Sequence, residues 1–296
     1  MKLSRAGRAL LILIVVLVVF GVLYAALILP DMLHWGATME EINAPLIGDD
    51  ILADANYEST RAITINAPAS DVWPWVAQLG QGRGGMYSYE VLENLFGCNS
   101  QNATQILSEF QTLNIGDSFS MCASRPPFTV VAIEPNAAFV VQSADNTHTW
   151  SWIVQSIDDG TSRVITRMRA VVGPTLGEQL NEAIVLDPVQ FLMETKTLLG
   201  IKERAEGTIG GSALDTLEVL LWFVAVLLTA LALAAALVGR DWWPPLAVGL
   251  LAVVALWFLL EARALLPQGL LLIALIFVGL LWGLSKRTLP RQPAAG

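Results

Sequence analysis

The chain is poor in the residues that catalysis most often uses. It has two histidines, His34 and His148, and two cysteines, Cys98 and Cys122, in 296 residues. It contains no H-E-x-x-H, no G-x-S-x-G and no cysteine–histidine spacing of a zinc site. Neither a metal nor a cofactor is therefore expected, and no catalytic residue can be assigned. Charge is also scarce, at 15% of residues, and it is acidic, with a formal net charge of −9. No basic run is present, so a phosphate backbone would be repelled and nucleic acid is excluded as a partner. One glycine pattern, Gly80-Gln81-Gly82-Arg83-Gly84-Gly85, satisfies G-x-G-x-x-G. A dinucleotide fingerprint must follow a strand and open a helix. This one follows a helical pattern and precedes strands, so it reads as a tight turn that needs residues without Cβ.

What the chain does have is long uncharged apolar stretches, at residues 9–29, 219–239, 242–260 and 264–284. A hydrocarbon core of ~30 Å takes about 20 such residues per helix. Four transmembrane helices are therefore expected. They account for a hydrophobic content of 54% and a mean hydropathy of +0.57. Residues 31–213, between the first and second stretch, hold 22 acidic and 9 basic residues. Lys2, Arg5 and Arg8 precede the first stretch, and Lys286, Arg287 and Arg291 follow the last. The positive-inside rule then puts both termini in the cytoplasm and 31–213 outside, on a multi-pass plasma-membrane protein. The first stretch is longer than a signal-peptide core and lacks a good small-residue cleavage site, so it reads as an uncleaved anchor. In an exported domain Cys98 and Cys122 could pair, or remain two small buried thiols; their spacing does not decide.

The expected organisation is an anchor over 1–30, an extended connector over 31–60, a folded domain over 61–206, and a linker with three spans over 207–296. His34 and Trp35 fall where an interfacial aromatic belt would lie. Residues 61–65 alternate at period 2 and read as a strand. Short helices are expected over 72–79, with Ser70 or Asp71 as N-cap, and over 87–96. Strands are expected over 117–121, 128–134, 138–143, 147–157 and 163–172, joined by turn signals. Residues 187–206 carry an apolar stripe of Phe191, Leu192, Leu198, Leu199 and Ile201, which predicts a long amphipathic helix. The fold class is thus α+β: a curved antiparallel sheet around a long C-terminal helix, plus four transmembrane helices. A sheet bent round one helix tends to leave a hollow.

Three strings carry a resemblance: "HWGATMEE" at 34–41, "ITINAPASDVWPWVAQLGQGRGGMYSYEVLENL" at 63–95 and "FLMETKTLLGIKERAE" at 191–206. The chain resembles the SRPBCC superfamily, whose START-like and polyketide cyclase-like members have a helix-grip fold, and more closely its bacterial membrane-anchored members. Met86 departs from that pattern, which has Trp there. The resemblance implies a cavity for a hydrophobic ligand in many members, without fixing a function.

Candidate residues follow from faces. Trp73 and Trp75, two apart on a helix, cannot share a face, so one should pack inward and the other cover a helix junction. His148, Trp150 and Trp152 do share a face of one strand. They either line a hollow or fill it. Trp73, Tyr87, Phe191 and Met193 complete the candidate lining. Arg83, on the glycine loop, would either anchor a ligand's polar group or pair with Glu90 or Glu93. Arg163, Arg167 and Arg169 share one strand face, expected on the outside balancing the acids; inside, they would demand an anionic ligand. The apolar spans carry no internal charge, which argues against transport. Ala230, Ala232, Ala234, Ala235 and Ala236 suit close packing with a membrane-protein partner.

Three readings follow. The first is a membrane-tethered domain binding a hydrophobic small molecule or lipid between sheet and C-terminal helix. The second is a cyclase- or dehydratase-like enzyme in the same cavity, needing His148 to face Glu90 or Asp117. The third is an assembly protein whose hollow is filled by Trp150 and Trp152.

Overall fold

The computed structural model describes residues 24–209 continuously, together with 18, 21, 22, 215–221, 223, 224, 227 and 231. The chain divides into two units, 1–209 and 210–296. In the second, the described residues are helical. Among the described residues no helix is long and apolar enough to cross a membrane. The apolar stretches 242–260 and 264–284 lie wholly outside those residues, and 9–29 and 219–239 lie outside them in part.

The first unit opens with a π-helical turn, Tyr24–Ile28, running into α1 (Leu29–Leu33) with Pro30 in its first turn. After α2 (Met39–Asn43) comes β1 (Tyr57–Ile65), then α3 (Ala69–Ala77) and α4 (Glu90–Leu95). A meander follows: β2 (Ser118–Phe119), β3 (Phe128–Glu134), β4 (Ala138–Gln142), β5 (His148–Ser156) and β6 (Ser162–Ala170). Last come α5 (Leu176–Asn181), a π-helical turn Glu182–Leu186, and α6 (Asp187–Ala205).

The six strands form one antiparallel sheet in the order β1-β6-β5-β4-β3-β2, with an irregularity between Val130 and Ala132 in β3. β1 joins the far side of the meander beside β6, in register from Tyr57 opposite Ala170 to Ile65 opposite Ser162. α3 and α6 pack on one face of this sheet. This is the helix-grip layout that the resemblance implies, with strands and final helix close to their expected bounds.

Strand alternation assigns the faces. On the helix side, Ile63, Ile65, Val141, Trp150, Trp152, Val154, Val164 and Met168 join Val72, Trp73, Val76, Leu198 and Ile201 in the main core. The outer face is also covered. Ala62, Ala138, Ile153 and Ile165 form a second cluster under Ala37, Leu46 and Ile47. Small residues at 62 and 138 let the segment before β1 lie close.

That segment, expected as an irregular extended connector, is instead a strap built by named contacts. Thr38 opens α2 with a capping box: its hydroxyl accepts from the Glu41 amide at 3.2 Å, and the Glu41 carboxylate accepts from the Thr38 amide at 2.7 Å. The same carboxylate grips Arg163 through two oxygens, at 2.6 and 2.8 Å. Ser151 donates to the Ile47 carbonyl at 2.8 Å.

The arginine row on β6 therefore lies on the outer face and balances the domain's acids, as expected, but beneath the strap rather than in open solvent. Arg167, 2% exposed, pairs with Asp49 at 2.7 Å and donates to the carbonyls of Glu41, Ile42 and Ala44. Arg169 pairs with Glu58 at 3.1 Å. The strap supplies the acceptors that burial of these guanidiniums requires.

Further differences from the sequence reading are local. β1 starts at Tyr57 rather than 61, because its first residues continue the ladder with β6. α3 starts one residue after Pro68, with no side-chain cap, so neither Ser70 nor Asp71 caps it. Cys98 and Cys122 form a disulfide, which ties the loop after α4 to the segment after β2.

Candidate functional site

The helix face of the sheet has two halves of different chemistry. The half toward β2–β5 is aromatic, with its rings in mutual contact. Trp150 and Trp152 have ring centroids 4.9 Å apart, and Trp150 meets Phe119 edge-on at 6.0 Å. Phe119 packs on Phe139 at 5.9 Å, and Phe139 receives Trp73 from α3 at 6.5 Å. The Trp150 indole donates to the Thr166 hydroxyl at 2.7 Å. Trp75 turns the other way and meets Tyr87 edge-on at 6.0 Å, so the tryptophan pair of α3 divides as its spacing requires. Such edge contacts favour close packing of rings over an open lining.

The half toward β1 is polar inside. Odd-numbered residues of β1 point to the helix face, so Arg61 enters the core two residues before Ile63. It is fully buried, with 0% exposure. On α6 the residues spaced to face it are Asp187, Gln190, Phe191 and Glu194, with Leu198 and Ile201 continuing the stripe. Arg61 Nη1 bonds Glu194 Oε2 at 2.7 Å, and Arg61 Nε donates to the Met32 carbonyl of α1 at 2.7 Å. The Phe191 ring lies under the guanidinium at 5.8 Å. Gln190 donates to Glu194 Oε2 at 3.1 Å and reaches Met168 Sδ at 3.0 Å. Tyr57 donates to Asp187 Oδ1 at 2.6 Å.

Burial, with the Asp187 charge beside it, pushes the Tyr57 hydroxyl far above its ordinary pKa. Burial also raises the Asp187 carboxyl, against the opposing pull of Tyr57 and Arg61. His34 sits near this group; burial first, and the Arg61 charge second, lower its pKa, which favours the neutral ring.

Not every polar atom here is matched. Arg61 Nη2, Glu194 Oε1, His34 Nδ1 and the indole Nε1 of Trp152 are buried with no hydrogen-bond partner among the described residues. Trp152 itself is 0% exposed and Glu194 2%. Unpaired buried polar atoms are uncommon, and each costs roughly 1–3 kcal/mol, more when charged. The set comprises a guanidinium N–H, an indole N–H, a carboxylate oxygen and an imidazole nitrogen that donates or accepts according to its tautomer.

The sequence-chosen residues distribute as follows. Trp73, Trp150, Trp152 and Phe191 all lie in the core between sheet and helices. Tyr87 is buried, but its hydroxyl bonds the Trp75 carbonyl at 3.1 Å and Arg204 stacks on its ring at 4.2 Å. It pins the loop to α6. Met193 faces Ser88, whose hydroxyl donates to its carbonyl at 3.2 Å, on the side of α6 away from β1. Arg83 does not pair with Glu90 or Glu93, and its Nε is buried with no hydrogen-bond partner among the described residues. Its Nη2 donates to the carbonyls of Ala77 and Phe110 at 3.1 and 3.0 Å, and it stacks on Phe110 at 4.9 Å.

The glycine loop is a turn, as expected. Gly80, Gly82 and Gly85 have positive φ, and a Cβ on Gly84 would strike Gln78 and Tyr87. His148 is half-buried at the end of β5, bonded through Nδ1 to Thr147 at 2.8 Å, and burial lowers its pKa. It meets neither Glu90, which accepts from the Asn102 amide, nor Asp117, which caps the Asn114 amide at 2.8 Å. The acid–base pair that a cyclase-like reading needed is not assembled from these residues. Among the described residues no group of His, Cys, Asp and Glu is placed to hold a metal ion.

Sequence reasoning missed Arg61, Glu194, Tyr57 and Asp187. One signal was available for Arg61: it has the same parity on β1 as Ile63 and Ile65. Nothing in the sequence signalled Glu194, which lies 133 residues away.

No family model matches the sequence, and no curated protein matches it. Solved structures do resemble the fold. The aromatase/cyclase Zhui from Streptomyces sp. R1128 shares 15% identity, with 53% of this chain and 97% of that chain covered and a TM-score of 0.32. The polyketide-cyclase-like protein Cgl2372 from Corynebacterium glutamicum shares 14%, covering 50% and 91%, with a TM-score of 0.28. The Aha1 dimer from Colwellia psychrerythraea shares 14%, covering 52% and 99%, with a TM-score of 0.30. Identity and scores at this level carry no statement about activity.

Proposed function

We propose that the chain is a multi-pass membrane protein whose domain binds an amphipathic small molecule or lipid between β1–β6 and α6. Arg61 and Glu194 hold the polar end of that molecule. Phe191, Met168 and Trp152 contact its apolar part. The observation that carries this reading is the group of buried, unpartnered polar atoms at Arg61 Nη2, Glu194 Oε1 and Trp152 Nε1, set among apolar side chains. A molecule offering both an acceptor and a donor would satisfy the guanidinium and the carboxylate together. Because the two charges already compensate each other, the matching head is uncharged: a hydroxyl, an amide or a protonated carboxylic acid.

The four uncharged apolar stretches support tethering in a bilayer, with both termini cytoplasmic and residues 31–213 outside. The Cys98–Cys122 disulfide supports the same placement, since disulfides persist in oxidising compartments. Tethering would raise the local concentration of any membrane-derived ligand.

The test is extraction of the full-length protein in mild detergent, followed by mass spectrometry of what it retains. An uncharged amphipathic molecule should remain bound to the wild type and be lost from Arg61→Met/Glu194→Leu. A wild-type protein that stays empty after incubation with extracted membranes would refute the binding reading.

A further inference from the structure

The segment between β6 and α6 is helical without being held. α5 is deliberately started: Thr175 and Glu178 form a capping box. Yet α5 and the π-helical turn after it contain no buried residue. Their apolar side chains point outward. Leu176 is 70% exposed, Leu180 47%, Ile184 59%, Val185 50% and Leu186 44%; Val189, just inside α6, is 56% exposed. A helix this short is marginal in water, where stability must come from packing an apolar face against something.

The nearby chain indicates what that something is. The Tyr24 hydroxyl donates to the Ala183 carbonyl in the middle of the segment. Tyr24 belongs to the uncharged stretch 9–29, which ends at Pro30. Of that stretch, Val18 is 59% exposed, Val22 62% and Leu27 61%. The two exposed apolar surfaces are thus joined by a hydrogen bond from a tyrosine, a residue that favours the membrane–water boundary.

We propose that residues 176–189 lie in the interfacial layer of the bilayer that stretch 9–29 enters. The inference rests on the tethering reading above. The segment carries Glu178, Glu182 and Asp187 and no basic residue. Glu178 is spent in its cap and Asp187 is buried against Tyr57. The surface therefore suits zwitterionic lipid and gains nothing from anionic headgroups. Asp187 and Gln190 follow directly in the chain, so the contact lies beside the Arg61–Glu194 group and gives an amphipathic molecule a short path from the leaflet.

The test uses full-length protein reconstituted in phosphatidylcholine nanodiscs, with single nitroxide labels at Leu180→Cys, Ile184→Cys and Val18→Cys. Val18 precedes Tyr24 on the stretch and so lies deeper than the bond to Ala183. Ile157→Cys serves as the aqueous reference: it is 57% exposed and follows β5, at the opposite end of the strand from His148. Accessibility to oxygen and to a nickel chelate is read by power saturation. Labels at 180 and 184 should show the oxygen-to-chelate ratio raised several-fold over 157, and shallower than 18. Full chelate access at 180 and 184, with 18 in lipid, would overturn this proposal alone. Protection from both reagents would also overturn it, by showing that a protein segment or a second copy covers the face. A label at 18 that reads as aqueous would bring down the tethering reading itself.

Discussion

Replacing Glu194 by leucine removes the one carboxylate bonded to Arg61 among the described residues and leaves the guanidinium with the Met32 carbonyl as its acceptor. Arg61 is 0% exposed, so water cannot take over without opening the contact between β1 and α6. Breaking a buried pair in this way costs about 3–5 kcal/mol, because a charge stays buried and unpaired. Replacing both partners behaves differently. In Arg61→Met/Glu194→Leu no charge remains, and apolar groups of similar volume meet Phe191 and Met168. Such exchanges are neutral or stabilising by up to roughly 4 kcal/mol. The double variant should therefore be more stable than Glu194→Leu alone and at least close to the wild type. Urea unfolding of the full chain in detergent, followed by near-UV circular dichroism, measures the cycle. A loss under about 1 kcal/mol for Glu194→Leu, the range of solvent-exposed pairs, would refute the reasoning. So would a double variant no more stable than the single.

Gly200 lies inside α6, where propensity alone says alanine should stabilise by about 1 kcal/mol. Here a Cβ would strike the Tyr87 backbone carbonyl, so Gly200→Ala should instead destabilise by roughly 1–3 kcal/mol, while Gly177→Ala, with open space around it, should not; thermal unfolding of both variants decides the sign. The Cys98–Cys122 bridge spans 24 residues, and loop-closure entropy assigns it about 3.5 kcal/mol. Cys98→Ser/Cys122→Ser should lose about that much, and a reductant should destabilise the wild type but not the variant. Burial raises the Glu93 carboxyl above its ordinary pKa, with the Glu90 charge adding to it. The folded state then binds this proton more tightly than the unfolded chain, so the site favours folding at low pH and loses that advantage as pH rises through the raised pKa. Glu93→Gln should therefore raise the midpoint at neutral pH, with the gain vanishing below the usual carboxylate range; an equal gain at all pH values would contradict this.

The sheet and its last helix were legible because their patterns are local. Alternation at period 2 marks β3 to β6, and the turn residues between them fall where expected. The α5 segment was not legible, since its apolar residues face away from the domain and no periodic stripe matches a buried side. The strap was only partly legible. Thr38 and Glu41 carry a capping-box signature, but nothing local says that Glu41 also holds Arg163. The candidate site was the least legible part. Trp150 and Trp152 drew attention as large aromatics, and they are packed on Phe119, Phe139 and each other. The polar group depends on a long-range match between β1 and α6, and the α6 stripe turns from polar at Asp187, Gln190 and Glu194 to apolar at Leu198 and Ile201. Amphipathic periodicity read the apolar half and passed over the polar one.

Native mass spectrometry of the detergent-extracted protein, wild type beside Arg61→Met/Glu194→Leu, is the most direct test of the central claim. The account predicts an added mass from one uncharged amphipathic molecule on the wild type, absent from the folded double variant. An identical bare mass for both proteins after exposure to extracted membrane lipid would contradict it.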